Sequence, residues 1–249
     1  MTRLVVLQHL EREGPGLFAR EARIRGWELS LCRMDRGERP PPLGPADRLL
    51  VLGGPMGVAD LGDPAYPWLP AELELLQAVL QRGLPVIGVC LGAQLLALAA
   101  GGTAQPLQVG EPPRPLREVG FGAISWWPDP AVEPLLHGLE ASELVLHWHG
   151  DRCVLPPGAE LLASSLHCRE QAFRLGPVAY GLQFHVELEP PMLEHWLMED
   201  NAYVVAALGP EGPAHLRADA RRWGERLERQ GRRLVANLFD QLERETAVV

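Results

Sequence analysis

The sequence contains no lysine, and all 23 of its basic side chains are arginines. Isoleucine (three) and asparagine (two) are nearly as scarce, beside abundant Ala, Leu, Gly, Pro and Arg. A GC-rich genome produces this bias. Thermal adaptation is a second reading, which arginine in place of lysine supports only weakly. Cysteine is limited to Cys32, Cys90, Cys153 and Cys168, with no C-x-x-C pair. Neither a zinc knuckle nor a redox dithiol is therefore indicated. No uninterrupted apolar stretch reaches 18 residues, which argues against a membrane span. The start, Met1-Thr2-Arg3 and then Leu4-Val5-Val6-Leu7, lacks a signal-peptide layout and runs into a strand. Excess positive charge is also missing: the net charge is −9, which argues against nucleic acid as the main partner. These absences point to a reducing, cytoplasmic setting.

What is present suits a globular enzyme-sized domain. At 249 residues and 47% hydrophobic content, the chain can form one large α/β domain, or one domain with an appendage. A charged content of 22% gives no sign of disorder. The first half alternates apolar strands (4–7, 28–34, 48–52, 85–89) with helices (17–27, 70–82, 91–100). In the second helix Leu73, Leu76, Val79 and Leu80 share a face. This alternation predicts a parallel sheet covered on both faces. From 103 to 184 the pattern shifts to short strands at 122–127, 144–148, 160–164, 171–174 and 178–183, read as antiparallel additions. After Pro190-Pro191 the chain turns helical, with one helix at 192–208 and another at 214–245, separated by Gly209-Pro210 and Gly212-Pro213. The last carries an apolar stripe of Leu216, Ala220, Trp223, Leu227, Leu234, Leu238 and Leu242. That stripe must bury against the same domain or, in a homodimer, against a partner chain.

The chemistry concentrates in a few segments. In Val86-Ile87-Gly88-Val89-Cys90-Leu91-Gly92-Ala93-Gln94 an apolar strand ends, a cysteine occupies the corner, and a helix begins at once. This is the nucleophile-elbow layout with cysteine in place of serine. The helix N-terminus favours a thiolate there, and the Leu91 N–H can hold an oxyanion. The competing reading makes Cys90 a small buried core residue. A thiol nucleophile needs a base and a group to orient it. Gly181-Leu182-Gln183-Phe184-His185-Val186-Glu187 supplies both, with His185 and Glu187 on one face if the chain stays extended. An ordinary surface His–Glu pair is the alternative.

Gly53-Gly54-Pro55-Met56-Gly57 follows another strand at the same predicted sheet edge. It is either a tight strand-to-helix turn or a source of a second oxyanion donor. Neither phosphate-loop pattern is present, so a nucleotide site here is unsupported. His147-Trp148-His149-Gly150-Asp151 could pass for a metal cluster, but zinc would need a further ligand. A substrate-lining loop is the preferred reading, and no metal is expected.

These segments, with Leu7-Gln8-His9, Gly14-Pro15-Gly16, Glu118-Val119-Gly120-Phe121 and Gln171-Ala172-Phe173, together resemble the class I glutamine amidotransferases. The likeness is to the free-standing branch related to the amidotransferase domain of guanosine monophosphate synthetase, and it covers roughly residues 4–190. The resemblance implies a doubly wound, three-layer α/β/α fold with a mostly parallel central sheet and antiparallel additions. It implies a domain at 1–190 and a C-terminal helical extension at 191–249 packed on it. Cys90, His185 and Glu187 would be the triad, and the N–H groups of Gly54 and Leu91 the oxyanion hole. Gln94, Gly150 and Asp151 would recognise the substrate, L-glutamine. No cofactor is implied. The family usually has proline between the triad histidine and glutamate, where this chain has Val186.

Three functions remain open on the sequence. The first is glutamine hydrolysis that supplies ammonia to a separate ATP-dependent synthetase. The second is hydrolysis of glutathione-like γ-glutamyl compounds by the same acyl-enzyme chemistry. The third is a non-catalytic regulatory or redox-sensing protein.

Overall fold

The computed structural model describes residues 1–246, with side chains through residue 244. The alternating half comprises β1 (Arg3–Gln8), α1 (Gly16–Ile24), β2 (Glu28–Arg33), β3 (Asp47–Val51), α2 (Leu69–Gln81), β4 (Val86–Val89) and α3 (Leu91–Ala99). Strands β5 (Thr103–Pro106), β6 (Gln108–Val109), β7 (Arg114–Pro115), β8 (Glu118–Trp126) and β9 (Ser142–His149) follow. Next come β10 (Asp151–Val154), β11 (Glu160–Ser164), β12 (Ala172–Leu175) and β13 (Ala179–Leu182). The chain ends in α4 (Pro190–Glu199), α5 (Asn201–Leu208) and α6 (Gly212–Thr246).

Nine strands form one sheet in the order β2-β1-β3-β4-β13-β12-β11-β8-β9. The five from β2 to β13 run parallel. The remainder pair antiparallel. This is the expected α/β class with its antiparallel additions. Successive side chains of each central strand face opposite layers. Leu4, Val6, Leu50, Leu52, Ile87 and Val89 pack with α1 and α6. Val5, Leu7, Leu49, Val51 and Val86 pack with α2 and α3. Strand β13 returns late in the sequence to lie parallel beside β4, with Leu182 opposite Val89. The segments that leave β1, β3, β4 and β13 therefore emerge at one edge of the sheet.

Three expectations need correction. The single helix expected at 192–208 is two, α4 and α5, because Asp200 leaves helical geometry (φ −117°, ψ 27°). Its carboxylate accepts a hydrogen bond from Trp148 Nε1 at 2.8 Å. Gly212-Pro213 opens α6 rather than breaking a helix, since proline suits a first turn. On α2 the buried face is Leu69, Glu72, Leu76 and Val79, so a glutamate occupies the inner face beside the expected apolar positions, while Leu73 is only partly covered.

The apolar stripe of α6 buries within the chain. Leu216 and Leu227 join α4 and α5 over Trp148 and Trp196. Leu234, Leu238, Phe239 and Leu242 fill the layer against α1. Phe239 stacks on Trp27 at 4.5 Å between ring centroids. No helix among the described residues is long and apolar enough to cross a membrane. A Phe239→Ala change should destabilise the protein by about 3–5 kcal/mol in urea unfolding. A loss below about 1 kcal/mol would mean that α6 is not integral to this core.

Candidate active site

Cys90 sits where β4 meets α3, with φ 52°, and it is the one non-glycine residue with positive φ among the described residues. Its N–H donates to Leu182 O at 2.7 Å, locking the corner against β13. The glycines at either side are sterically required. A Cβ on Gly88 would strike Gly92 O, and one on Gly92 would strike Val51 O. The sulfur lies in a largely buried position, 3.7 Å from Gln183 Nε2 and 3.9 Å from Trp148 O. Leu91 heads α3, where first-turn N–H groups have no intrahelical acceptor.

His185 arrives from the end of β13. Strand pairing stops at Leu182, and His185 is held by one bridge, its N–H donating to Leu146 O at 2.9 Å. Its Nδ1 bonds Glu187 Oε1 at 2.6 Å, and both side chains are 1% exposed. The imidazole and the Trp196 ring pack edge to face, with centroids 4.7 Å apart and an 87° interplanar angle. Burial alone would make the ring less basic. The Glu187 carboxylate and hydrogen bonding with Cys90 and Glu187 outweigh it, holding the imidazole well above its ordinary range.

The loop carrying Glu187 is secured from α1 rather than by a proline. Leu17 N–H donates to Glu187 O at 3.0 Å. Gly16, at φ 39°, passes so close to that carbonyl that any Cβ would collide with it. This gives Gly14-Pro15-Gly16 a physical role: it buttresses the histidine–glutamate segment.

A cleft of about 560 Å³ opens over these groups, within the range for small-molecule sites. Cys90, His185, Gly54, Leu91, Gln94, Gly150 and Asp151 all line it. Glu187 lies behind His185, outside the lining. Gln94 is buried, its amide donating to Gln183 Oε1 at 3.3 Å. Burial raises the Asp151 carboxyl above its usual range, with Asp60 adding to the effect and His149 opposing it.

Sequence reasoning missed several lining residues. Glu13 is a buried carboxylate raised by desolvation, an effect opposed by His185 and Arg12. It lies in a loop with no periodic pattern to mark it. Arg12, Arg117, Asp200 and Tyr203 border the same cleft, together with Trp148 from the segment read as substrate-lining. Most come from segments that only tertiary packing brings there.

Glu118, His147 and His149 place one candidate ligand atom each within 4.8 Å. Strand pairing explains this, since Glu118 faces His149 and Gly120 faces His147 across β8 and β9. The set suits hydrogen bonding better than a metal. His149 Nδ1 donates to Asp151 O at 2.9 Å. Gln171 Nε2 donates to Glu118 Oε2 at 2.7 Å, and His149 Nε2 lies 3.1 Å from the same carboxylate oxygen, so these groups are engaged with one another. The network steadies the Gly150–Asp151 turn.

The family described as glutamine amidotransferase class-I matches residues 17–204, a span that runs through α4 into α5. The chain is 30% identical to the glutamine amidotransferase-like protein YfeJ of Salmonella typhimurium, over 81% of this chain and 82% of that protein. It is 29% identical to one subunit of the glutamine-hydrolysing GMP synthase of Ignicoccus hospitalis, over 73% of this chain and 83% of that protein. With the GMP synthase of Thermomicrobium roseum it shares 35% identity over 63% of this chain but only 28% of that protein. A solved glutamine amidotransferase from Thermotoga maritima superposes with a TM-score of 0.81 at 25% identity, covering 95% of this chain and 97% of that one.

Two outcomes follow from this geometry. Gly16→Ala should push the Glu187 loop away and lower turnover at least tenfold, measured beside an unfolding curve that remains cooperative. The second concerns pH. Burial depresses His147 from 6.5 to about 4, against the opposing pull of Glu118. The unfolded chain takes up that proton near its ordinary value, whereas the fold resists it. Stability from this residue is therefore complete above about 6.5 and declines as pH falls towards 4, by up to about 3 kcal/mol. Urea midpoints from pH 7.5 to 4.5 should slope less in His147→Gln than in the wild type.

Proposed function

Starting from the class I glutamine amidotransferase family, to which this chain belongs, we propose that Cys90 hydrolyses the side-chain amide of glutamine. In this reading the sulfur attacks the amide carbon, and the oxygen takes the developing negative charge. The N–H groups of Gly54 and Leu91 receive that charge. His185 gives its proton to the departing nitrogen, and ammonia leaves as the thioester forms. Water then attacks the γ-glutamyl thioester with His185 as base, releasing glutamate and restoring the thiol. Glu187 fixes the imidazole and stabilises its charged form. Gln94, Gly150 and Asp151 hold the amino-acid end of the substrate. Residues 1–190 carry the chemistry, and 191–249 act as a helical extension packed on them; residues 247–249 lie outside the described residues.

The observation that carries this reading is the 2.6 Å bond from His185 Nδ1 to Glu187 Oε1, with His185 and Cys90 lining the same cleft. The ammonia would pass to a separate ATP-dependent synthetase.

A second reading, hydrolysis of other γ-glutamyl amides, is favoured by the size of the cleft and by Arg12, Arg117, Asp200 and Tyr203 on its border. Those groups could meet the amine portion of a larger substrate. Parallel turnover on glutamine and on γ-glutamyl dipeptides separates the two. For either, Cys90→Ala should lower glutamate release by at least about 10³-fold, and a glutamine-analogue electrophile should label Cys90 alone. Intact activity in Cys90→Ala with no label on Cys90 would sink the mechanism.

A further inference from the structure

Beneath the Gly53-Gly54 turn lies a second histidine–carboxylate pair, distinct from His185–Glu187. His9 follows the end of β1, and Glu72 projects inward from α2. Both side chains are fully buried. His9 Nδ1 bonds Gly53 O at 3.0 Å, and His9 Nε2 bonds both Glu72 oxygens, at 3.0 and 2.9 Å. The Gly53 carbonyl can only accept, so Nδ1 carries a hydrogen, and the Glu72 carboxylate beside Nε2 favours the doubly protonated ring. Burial opposes that charge, but Glu72 and the Gly53 carbonyl more than offset it, and the ring is more basic than an ordinary histidine.

The Gly53–Gly54 peptide is trans, since Glu111-Pro112 is the sole cis bond among the described residues. In a trans peptide the C=O and the following N–H point in opposite directions. A carbonyl held by His9 therefore commits the Gly54 N–H to the other side. Gly54 lines the cleft beside Cys90 and Leu91, whereas the His9 and Glu72 side chains lie on the sealed side. The hydrogen bond to the Gly53 carbonyl also polarises the peptide and makes its N–H a stronger donor.

We propose that Glu72 and His9 are positioning residues that lock the Gly53–Gly54 peptide with its N–H aimed into the cleft as an oxyanion donor. This rests on the acyl-transfer reading of Cys90 given above. An apolar residue at 72 would pack against this layer at least as well. A glutamate there is explained by the peptide it orients through His9.

The test compares glutamate release from glutamine by the wild type, His9→Gln, His9→Asn and Glu72→Gln, each with its melting temperature. The amide of asparagine can stand where Nδ1 stood and still donate to Gly53 O. The amide of glutamine extends towards the Nε2 position and leaves that carbonyl without its donor. An oxyanion contact acts in the transition state, and removal of one such donor costs roughly 10²–10³-fold in kcat. His9→Gln should therefore lose about 10²-fold in kcat with KM within about twofold. His9→Asn should lose markedly less, and Glu72→Gln should fall between them. Equal losses in both His9 variants that track melting temperature, a loss confined to KM, or an unchanged kcat in His9→Gln would overturn the inference while leaving the hydrolase reading intact. A wild type that cleaves neither glutamine nor a γ-glutamyl dipeptide would overturn both.

Discussion

The molecule is organised around one strained corner. Cys90 adopts φ 52° between β4 and α3, a conformation that costs of order 1–3 kcal/mol in a residue with a Cβ. It persists because its surroundings leave no alternative. Gly88 and Gly92 lie in backbone contact with their neighbours, and the Cys90 N–H is held by Leu182 O at 2.7 Å. That hydrogen bond exists because β13 returns to pair parallel with β4. The same pairing delivers His185 to the side of the sulfur, so sheet topology and site geometry are one constraint.

Around this corner, the segments leaving neighbouring strands carry matching supports. β13 leads to His185, whose partner Glu187 is held from behind by the start of α1. β3 leads to Gly53-Gly54, held from beneath by the His9–Glu72 pair at the end of β1. In each case a histidine is fixed by a carboxylate, but the two rings face different tasks. His185 has one nitrogen committed to Glu187 and lines the cleft; His9 has both nitrogens committed and is sealed from it. Buried charge of this kind is costly unless each group is paired, which explains why both histidines have carboxylates at hydrogen-bonding distance.

The C-terminal helices complete the enclosure. Trp196 supports the His185 ring from α4, and the break at Asp200 turns α5 so that Tyr203 meets the cleft. Arg117 lies over the Tyr203 ring at 4.9 Å. Helix α6 spans two apolar clusters and ties this cap to the sheet layer beneath α1. The cap therefore shapes the far wall of the cleft, where substrates of different size would differ.

The alternating α/β half, the elbow at Cys90 and the His185–Glu187 pair were all legible in the order of residues. Each is written in local signals: apolar runs of strand length, glycines flanking a corner, and a short motif at a strand end. Glu72 and Glu13 were not legible, because a glutamate on an amphipathic helix or in a loop reads as solvated until its neighbours are known. Nor was the bend at Asp200, where helix propensity continues but Trp148, 52 residues away in sequence, takes the carboxylate. Which further side chains share the cleft, Glu13, Arg12, Arg117, Asp200 and Tyr203 among them, was settled by packing, since strand order, register and the return of β13 depend on long-range contacts that no short window of residues contains.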